Sequence, residues 1–429
     1  MGVQLPTEHK YKRRLSSWRG WGCLWVLVLI CPQTAKAQVT PQPGVADWVN
    51  AVLTAHPLVR ARAEEARAAE ADVSAARWQY WPTPSVNTDT LRGQSATVTR
   101  LSQPLWDGGK IAVGVRQSEI RLRLATMGLR ETEHELAGKV LGFWQTQSVQ
   151  EARLRVFERG LQSLQDLDDL MSRRTDAGVS AQADLTLARV RLMQTRADLL
   201  QARAAQTAAL GQLRQLAQHE PARAQASPAP WTADMEEGVE RLREIARQQH
   251  PLVDRLKWQL ELQQAEFDAF KAELWPTLSL RAERQRGQID GTLAEGRRFY
   301  ANLQYSLGAG ATVIPKLEAA QVRVRALEQQ QEGALKELDE RLLQDWHDYA
   351  TLRLRLPDLE SVQEAARDLT ESSKRLFVTG RKSWLDLQNA VREQLQAELA
   401  RAEAQAMMDA LRYRLALQTG QMFWRAEGP

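Results

Sequence analysis

The chain has two cysteines in 429 residues, Cys23 and Cys31, and both fall within the first 37. From residue 38 onward it can form no disulfide, and it offers no thiol to a metal or a redox partner. Proline is missing between Pro104 and Pro221, a stretch rich in Ala, Leu, Gln, Arg and Glu, so little there can break a helix. Past residue 37 no apolar run approaches the ~20 residues that a transmembrane helix needs. A chain like this can cross a membrane only as a barrel. Catalytic constellations are missing too. His56, His134, His219, His250 and His347 are scattered, with no H-x-x-x-H pair and no G-x-S-x-G elbow. Asp107-Gly108-Gly109-Lys110 lacks the P-loop spacing and reads as a strand-to-helix turn. No catalytic, cofactor or metal site is expected, and the chain reads as something other than an enzyme.

What is present begins with a leader. Lys10, Lys12, Arg13, Arg14 and Arg19 precede an apolar stretch from Trp21 to Cys31, and Ala35-Lys36-Ala37 follows as an A-x-A cleavage site. Residues 1–37 are therefore expected to be a secretory signal. They hold six of the 57 Lys/Arg and one of the 53 Asp/Glu, leaving 51 basic and 52 acidic residues behind them. The basic pI belongs to the leader, and nucleic acid is not implied as a partner.

The rest is written twice. His56-Pro57-Leu58-Val59 recurs as His250-Pro251-Leu252-Val253, and Trp81-Pro82-Thr83 as Trp275-Pro276-Thr277, both at a shift of 194. The shift then becomes 202, an eight-residue insertion. It carries Leu101 to Leu303, Leu105 to Leu307, Trp144 to Trp346, Gly178 to Gly380 and Asp184 to Asp386. Residues 38–217 and 235–429 are two copies of one unit joined by a proline-bearing linker at 218–234, with Pro221, Pro228 and Pro230. A repeat this long has to pair with its twin or with other chains to close a structure.

In each copy a helix, a β-hairpin, a long helix, a tight turn and a second helix are expected. The long helices run from about 111 to 174 and from about 316 to 378. Gly178 and Gly380 end them, and partner helices follow over about 181–216 and 384–417. A single helix is expected from about 234 to 274. His56 and His250, each before proline, read as helix starts, and Pro357 has no counterpart in the first copy and predicts a kink. Leu185, Ala188, Leu192, Thr195, Leu199, Ala202, Gln206, Ala209, Leu213 and Leu216 form a heptad seam. Its small half, Ala188, Thr195, Ala202 and Ala209, maps onto Ala390, Ala397, Ala404 and Leu411. Gly138 and Gly142 read as close helix packing within a charged helix.

Between the helices the period changes to two. Phe299, Ala301, Leu303, Tyr305 and Leu307 alternate with Tyr300, Asn302, Gln304 and Ser306, and Leu278, Leu280 and Ala282 with Ser279, Arg281 and Glu283. Hairpins are expected over about 83–106, turning at Gly93, and about 277–307, with a loop from Gly287 to Gly296. Strands of ~10 residues match an outer-membrane crossing, but four of them cannot close a barrel. Trp81, Trp106 and Trp275 fall at the helix side of the strands. They fit an interfacial girdle, with plain packing at the joints as the alternative.

The doubled H-P, the W-P-T before the strands, Gln103-Pro104-Leu105-Trp106-Asp107-Gly108-Gly109 after them, and a glycine turn with an acid six residues on together resemble the TolC-like outer-membrane channel family. The resemblance spans nearly the whole chain after the leader. It implies a mainly α fold with a small antiparallel β part: a homotrimer whose twelve strands, four per chain, close one transmembrane barrel, and a long coiled-coil helical tunnel in the periplasm. Its partners would be two further copies, outer-membrane lipid, a periplasmic adaptor, and an inner-membrane ABC transporter or proton-driven pump.

The segment Val378 to Glu393 looks like the branch serving type I secretion of large repetitive adhesins. By the family's pattern the turns at 176–181 and 379–384 dock on the adaptor through Gly178, Val179, Ser180, Gly380, Arg381 and Ser383. Phe377, Lys382, Asp386 and Asn389 would line the periplasmic gate. Phe377 stands where tyrosine is common and Asn389 where a second acid is common, which thins the usual gate bonds. Drug efflux is the alternative cargo class. A soluble periplasmic coiled-coil adaptor is the alternative of another class, and it would have no use for the apolar row from Phe299 to Leu307.

Overall fold

A computed structural model describes residues 43–91, 94–219, 221, 238–289, 292–293, 295–306 and 312–424. The leader, Gly93, Leu307 and most of the linker lie outside them.

The element order is itself duplicated. In the first half, α1 (Val45–Ala55) and α2 (Pro57–Trp78) lead into β1 (Thr83–Leu91) and β2 (Gln94–Trp106), then α3 (Lys110–Asp176) and α4 (Gln182–Ala217). In the second, α5 (Val239–Gln249) and α6 (Pro251–Glu273) lead into β3 (Thr277–Ile289), β4 (Thr292–Leu293) and β5 (Gly296–Gln304), then α7 (Val313–Val378) and α8 (Trp384–Gln418). The long helices α3 and α7 have 67 and 66 residues, about 100 Å each at ~1.5 Å per residue.

The single helix expected from about 234 to 274 is two helices, broken at His250-Pro251, and the first half has the same break at His56-Pro57; both histidines start helices as expected. Proline forces the preceding residue out of the helical region, and His56 and His250 accordingly sit extended at ψ 129°. Each then starts the next helix, its Nδ1 accepting the Leu58 N–H at 3.2 Å or the Leu252 N–H at 3.1 Å. Pro357, by contrast, does not break α7, although it has no N–H to donate within the turn.

The seam is buried as its heptads require. Ala188, Thr195, Ala202 and Ala209, and their counterparts Ala390, Ala397, Ala404 and Leu411, are all buried. Three levels of core follow along the helices. Near mid-length, α1 lays Trp48, Val49 and Val52 on Leu136, Val140 and Leu141 of α3, and α5 lays Leu242 and Ala246 on Leu342 and Tyr349 of α7. A second cluster joins Leu154 and Phe157 to Leu199 and Ala202. A third lies at the glycine turns.

At the mid-level His250 meets the ring of His134 edge-on, centroids 4.7 Å apart. Burial first, then His134 and Arg341, push the His250 pKa down to about 4.

The sheet is antiparallel and joins the two halves. β1 pairs β2, β2 pairs β3 from Ala96↔Gly287 to Trp106↔Leu278, and β3 pairs β5. The register slips between Pro104 and Trp106, where proline gives no ladder donor. Gly287 lies within β3, not in the loop expected there. Its φ is 131°, and a Cβ would stand 2.2 Å from the Ser95 carbonyl oxygen of β2. The eight-residue insertion accommodates the longer β3 and the two-residue β4 folded back on its tip.

Candidate functional site

The two glycine turns are built alike. Gly178 and Gly380 adopt φ 72° and 74°, the left-handed region that an L side chain resists. At the first, Gly178 N–H donates to the Thr175 carbonyl at 2.9 Å and Val179 N–H to the Arg174 carbonyl at 2.8 Å. At the second, Gly380 N–H donates to Phe377 at 3.0 Å and Arg381 N–H to Leu376 at 2.9 Å. Both are Schellman motifs, which satisfy carbonyls that the helix end would leave bare. Nothing lies within 4 Å of a Cβ built on either glycine, so the need there is conformational and not steric.

The turns lie side by side, because one cluster serves both. Leu164, Leu167 and Met171 of α3 and Leu185 and Ala188 of α4 pack with Phe377 of α7 and Trp384, Leu387 and Val391 of α8. The Arg174 guanidinium crosses between them. It stands 4.9 Å above the Phe377 ring while its Nε donates to Ser180 Oγ at 3.2 Å. Sequence reasoning missed Arg174, and no spacing rule points to it.

Among the expected gate residues, Phe377 is buried in this cluster, 5.5 Å from the Trp384 ring. Asp386 is exposed and closes a capping box with Ser383: its N–H donates to Ser383 Oγ at 3.1 Å, and that hydroxyl donates to its carboxylate at 2.6 Å. Those bonds, with Lys382 nearby, hold the Asp386 carboxyl below its ordinary range. The Lys382 ammonium turns back to α7 and donates to Ser373 Oγ at 2.8 Å, on a serine with no exposed surface. Asn389 is half-buried on α8 one turn past Asp386. Of the residues expected to dock, Val179, Ser383 and Arg381 are exposed, while Ser180 is half-buried and takes a bond from Arg174. Val378 and Leu385, which flank the second turn, are exposed as Val179 is at the first.

The sheet stands at the other end of the long helices and has two unlike faces. Directly paired residues share a face. Leu278 with Leu303, Leu280 with Ala301, and Ala282 with Phe299 and Leu101 make one face apolar. It is bare, with Phe299 78% and Leu303 67% exposed. On the opposite face Glu283 pairs with Arg100, accepts the Tyr300 hydroxyl at 2.7 Å and has Arg298 at 3.9 Å. The outer edges of β1 and β5 have no strand beside them among the described residues.

At the helix side Trp81, Trp106 and Trp275 are all exposed, and Trp106 and Trp275 meet edge-on at 6.1 Å. Gly108, at φ 67°, lets Trp275 in: a Cβ there would stand 2.3 Å from that of the tryptophan. Asp107 caps α3, accepting the Ile111 N–H at 2.6 Å, so the D-G-G-K turn is structural. No helix among the described residues is long and apolar enough to cross a membrane.

Residues 48–218 match the family model described as outer membrane efflux protein. No curated protein sequence matches the chain. Among solved structures it is similar to CusC, at 14% identity over 90% of this chain and 96% of that one, with a TM-score of 0.75. It is also similar to the outer membrane protein VceC of Vibrio cholerae, at 13% identity over 88% and 96%, TM-score 0.73. A third is the MtrE outer membrane channel of Neisseria gonorrhoeae in its open state, at 15% identity over 88% and 89%, TM-score 0.70. The mainly α architecture with a small antiparallel sheet, expected from the sequence, is the fold of these channels.

Proposed function

We propose that this chain is an outer-membrane channel of the TolC-like kind and not an enzyme, that it works as the passive trans-periplasmic duct of a tripartite export system, and that its cargo is a secreted protein. The observation that carries the duct is the bare apolar face of a four-stranded sheet with two open edges, set at one end of helices about 100 Å long. Four strands cannot close, and an open apolar sheet does not persist in water. Three copies pairing β1 of one with β5 of the next give twelve strands and a closed barrel in the outer membrane. The helices then enclose a tunnel in the periplasm.

The tips are the adaptor-docking end, through Gly178, Val179, Ser180, Gly380, Arg381 and Ser383. Lys382, Asp386 and Asn389 form the gate, with Phe377 setting the angle of the second tip from within the core. An inner-membrane ABC transporter supplies the energy. The second-tip segment from Val378 to Glu393 favours the adhesin-secreting branch. Small-molecule efflux with a proton-driven pump is the second reading, favoured by the efflux description of the matching family.

The test is the mass of the detergent-extracted protein together with export in a deletion strain carrying the gene back. Three chains per particle and restored release of a large secreted protein are expected. A monomer soluble without detergent overturns the duct. A trimer that restores drug resistance but no protein release overturns the cargo alone.

A further inference from the structure

The arginines of the sheet are treated differently on its two faces. On the face of Glu283, Arg100 and Arg298 are matched by that acid. Beyond the apolar residues of the other face come Arg284, Arg286 and Arg297, all exposed. Arg284 and Arg297 are a direct cross-strand pair, and Arg286 follows two residues on along the same face. Like charges placed opposite one another destabilise a sheet. None of the three has an ion pair or side-chain hydrogen bond among the described residues. The shallow hollow they line with Gln285 and Gly296 contains one acid, Glu295. Three guanidiniums within two residue steps thus have one acid, Glu295, beside them, and none of them is paired with it among the described residues.

Their height along the strand says where one comes from. Trp275, at the helix-side rim, and Arg284 are nine positions apart. At ~3.3 Å per residue and a tilt of ~40° this is roughly 23 Å of depth, against the ~25 Å apolar band of such barrels. Between the two levels the face carries Leu278, Leu280, Ala282, Phe299, Ala301 and Leu303. With the sheet in the membrane, the three arginines stand at the headgroup level of the leaflet farther from the helices, and they face lipid.

We infer that Arg284, Arg286 and Arg297 form a binding site for the phosphate groups of a phosphorylated lipid in the outer leaflet of the outer membrane. Guanidinium is suited to this, because its planar fork bonds phosphate in bidentate fashion and is weakly hydrated for a cation. The phosphates relieve the Arg284–Arg297 repulsion, so bound lipid stabilises the outer half of the sheet. The inference rests on the channel reading above.

The full-length protein, purified in a neutral detergent, is melted with bisphosphorylated lipid A, with the same lipid stripped of phosphate, and with inorganic phosphate. Bisphosphorylated lipid is expected to raise the melting temperature of the trimer by several degrees, and the other two additions are expected to leave it unchanged. The triple variant R284Q/R286Q/R297Q should lose the shift while keeping the trimer mass. Arg286→Gln, outside the cross-strand pair, should lose part of it even where the triple variant folds poorly. Equal shifts from the two lipids, a shift from inorganic phosphate alone, or an undiminished shift in both variants would overturn the site while leaving the channel reading intact. A chain that needs no detergent would overturn the channel reading, and the site with it.

Discussion

At the first tip the outgoing helix starts on Ala181, which has no side chain to offer its free N–H groups. At the second it starts on Ser383, locked to Asp386 in a capping box. Lys382 at the second tip reaches the buried Ser373, whereas its counterpart by the 202 shift, Ser180, takes a bond from Arg174. Yet φ at the two glycines agrees to 2° and the same two backbone bonds close each turn. The duplicated unit has kept the backbone where both copies must end at one level, and has let side chains diverge where each copy meets something different. Position comes from glycine and hydrogen bonds, and chemistry from the residues mounted on them.

The hardest blow to that shared backbone is valine at Gly178 or Gly380. A β-branched residue at positive φ costs about 1–3 kcal/mol, and the turn is expected to re-form elsewhere. Adaptor crosslinking and export should be lost in both variants with trimer mass unchanged. Asparagine, which tolerates the left-handed region, should restore part of both. Normal export from G380V would show that the tips need not be alike.

Acid should act at mid-length and spare the tips. His250 titrates at about 4 when folded against an ordinary 6.5, so the unfolded chain binds more protons between those values and stability falls as pH drops through them. Each unit of displacement is worth about 1.4 kcal/mol. Asp386 is displaced downward, so its cap is kept until the pH falls below the ordinary carboxylate range. Melting temperature should therefore decline from pH 6.5 to 4 while amide protection at the start of α8 holds. His250→Asn should flatten the decline, and early loss of protection at α8 would place the acid-sensitive point at the tip instead.

Exchanging the caps tests the divergence itself. Ser383→Ala should cost about 1 kcal/mol and speed amide exchange in the first turn of α8. Ala181→Ser should slow exchange in α4 by a smaller amount. Equal rates in parent and variants would mean that packing alone sets both helix starts.

The smallest change concerns the proposed gate. Lys382→Ala and Asp386→Ala should each raise resting conductance in planar bilayers, and 1 M salt should do so more weakly in the parent. Ser180→Ala, the matching site of the first tip, should leave conductance as it was. A rise from S180A as large as that from K382A would make the gate a property of both tips.

The long helices, the glycine ends and the strand positions were legible because each rests on a local signal: missing proline, heptad spacing, period two, or a glycine where a turn must be made. The break at His250-Pro251 was legible as well, and the single helix expected there underweighted what proline does to the residue before it. Gly287 looked like a loop residue because glycine marks turns. It serves instead for close approach of the Ser95 backbone, which is a tertiary fact. Arg174 and Ser373 belong to the same kind. Their roles arise only when two turns some 200 residues apart come together, and no window along the chain contains both.

The pairing of β2 with β3 sets an order on the birth of this molecule. Ala96 meets Gly287 across the whole intervening length of α3, α4, α5 and α6. Contacts between residues so distant in sequence carry the loop-closure entropy that slows folding. The helices can form as soon as they are made, but the sheet has to wait until the second hairpin exists. A chain halted after α4 would hold one hairpin, too few strands to stand alone. The sheet is in this way timed by topology to come last, and a half-made chain lacks the partner strand that β2 takes from the second half.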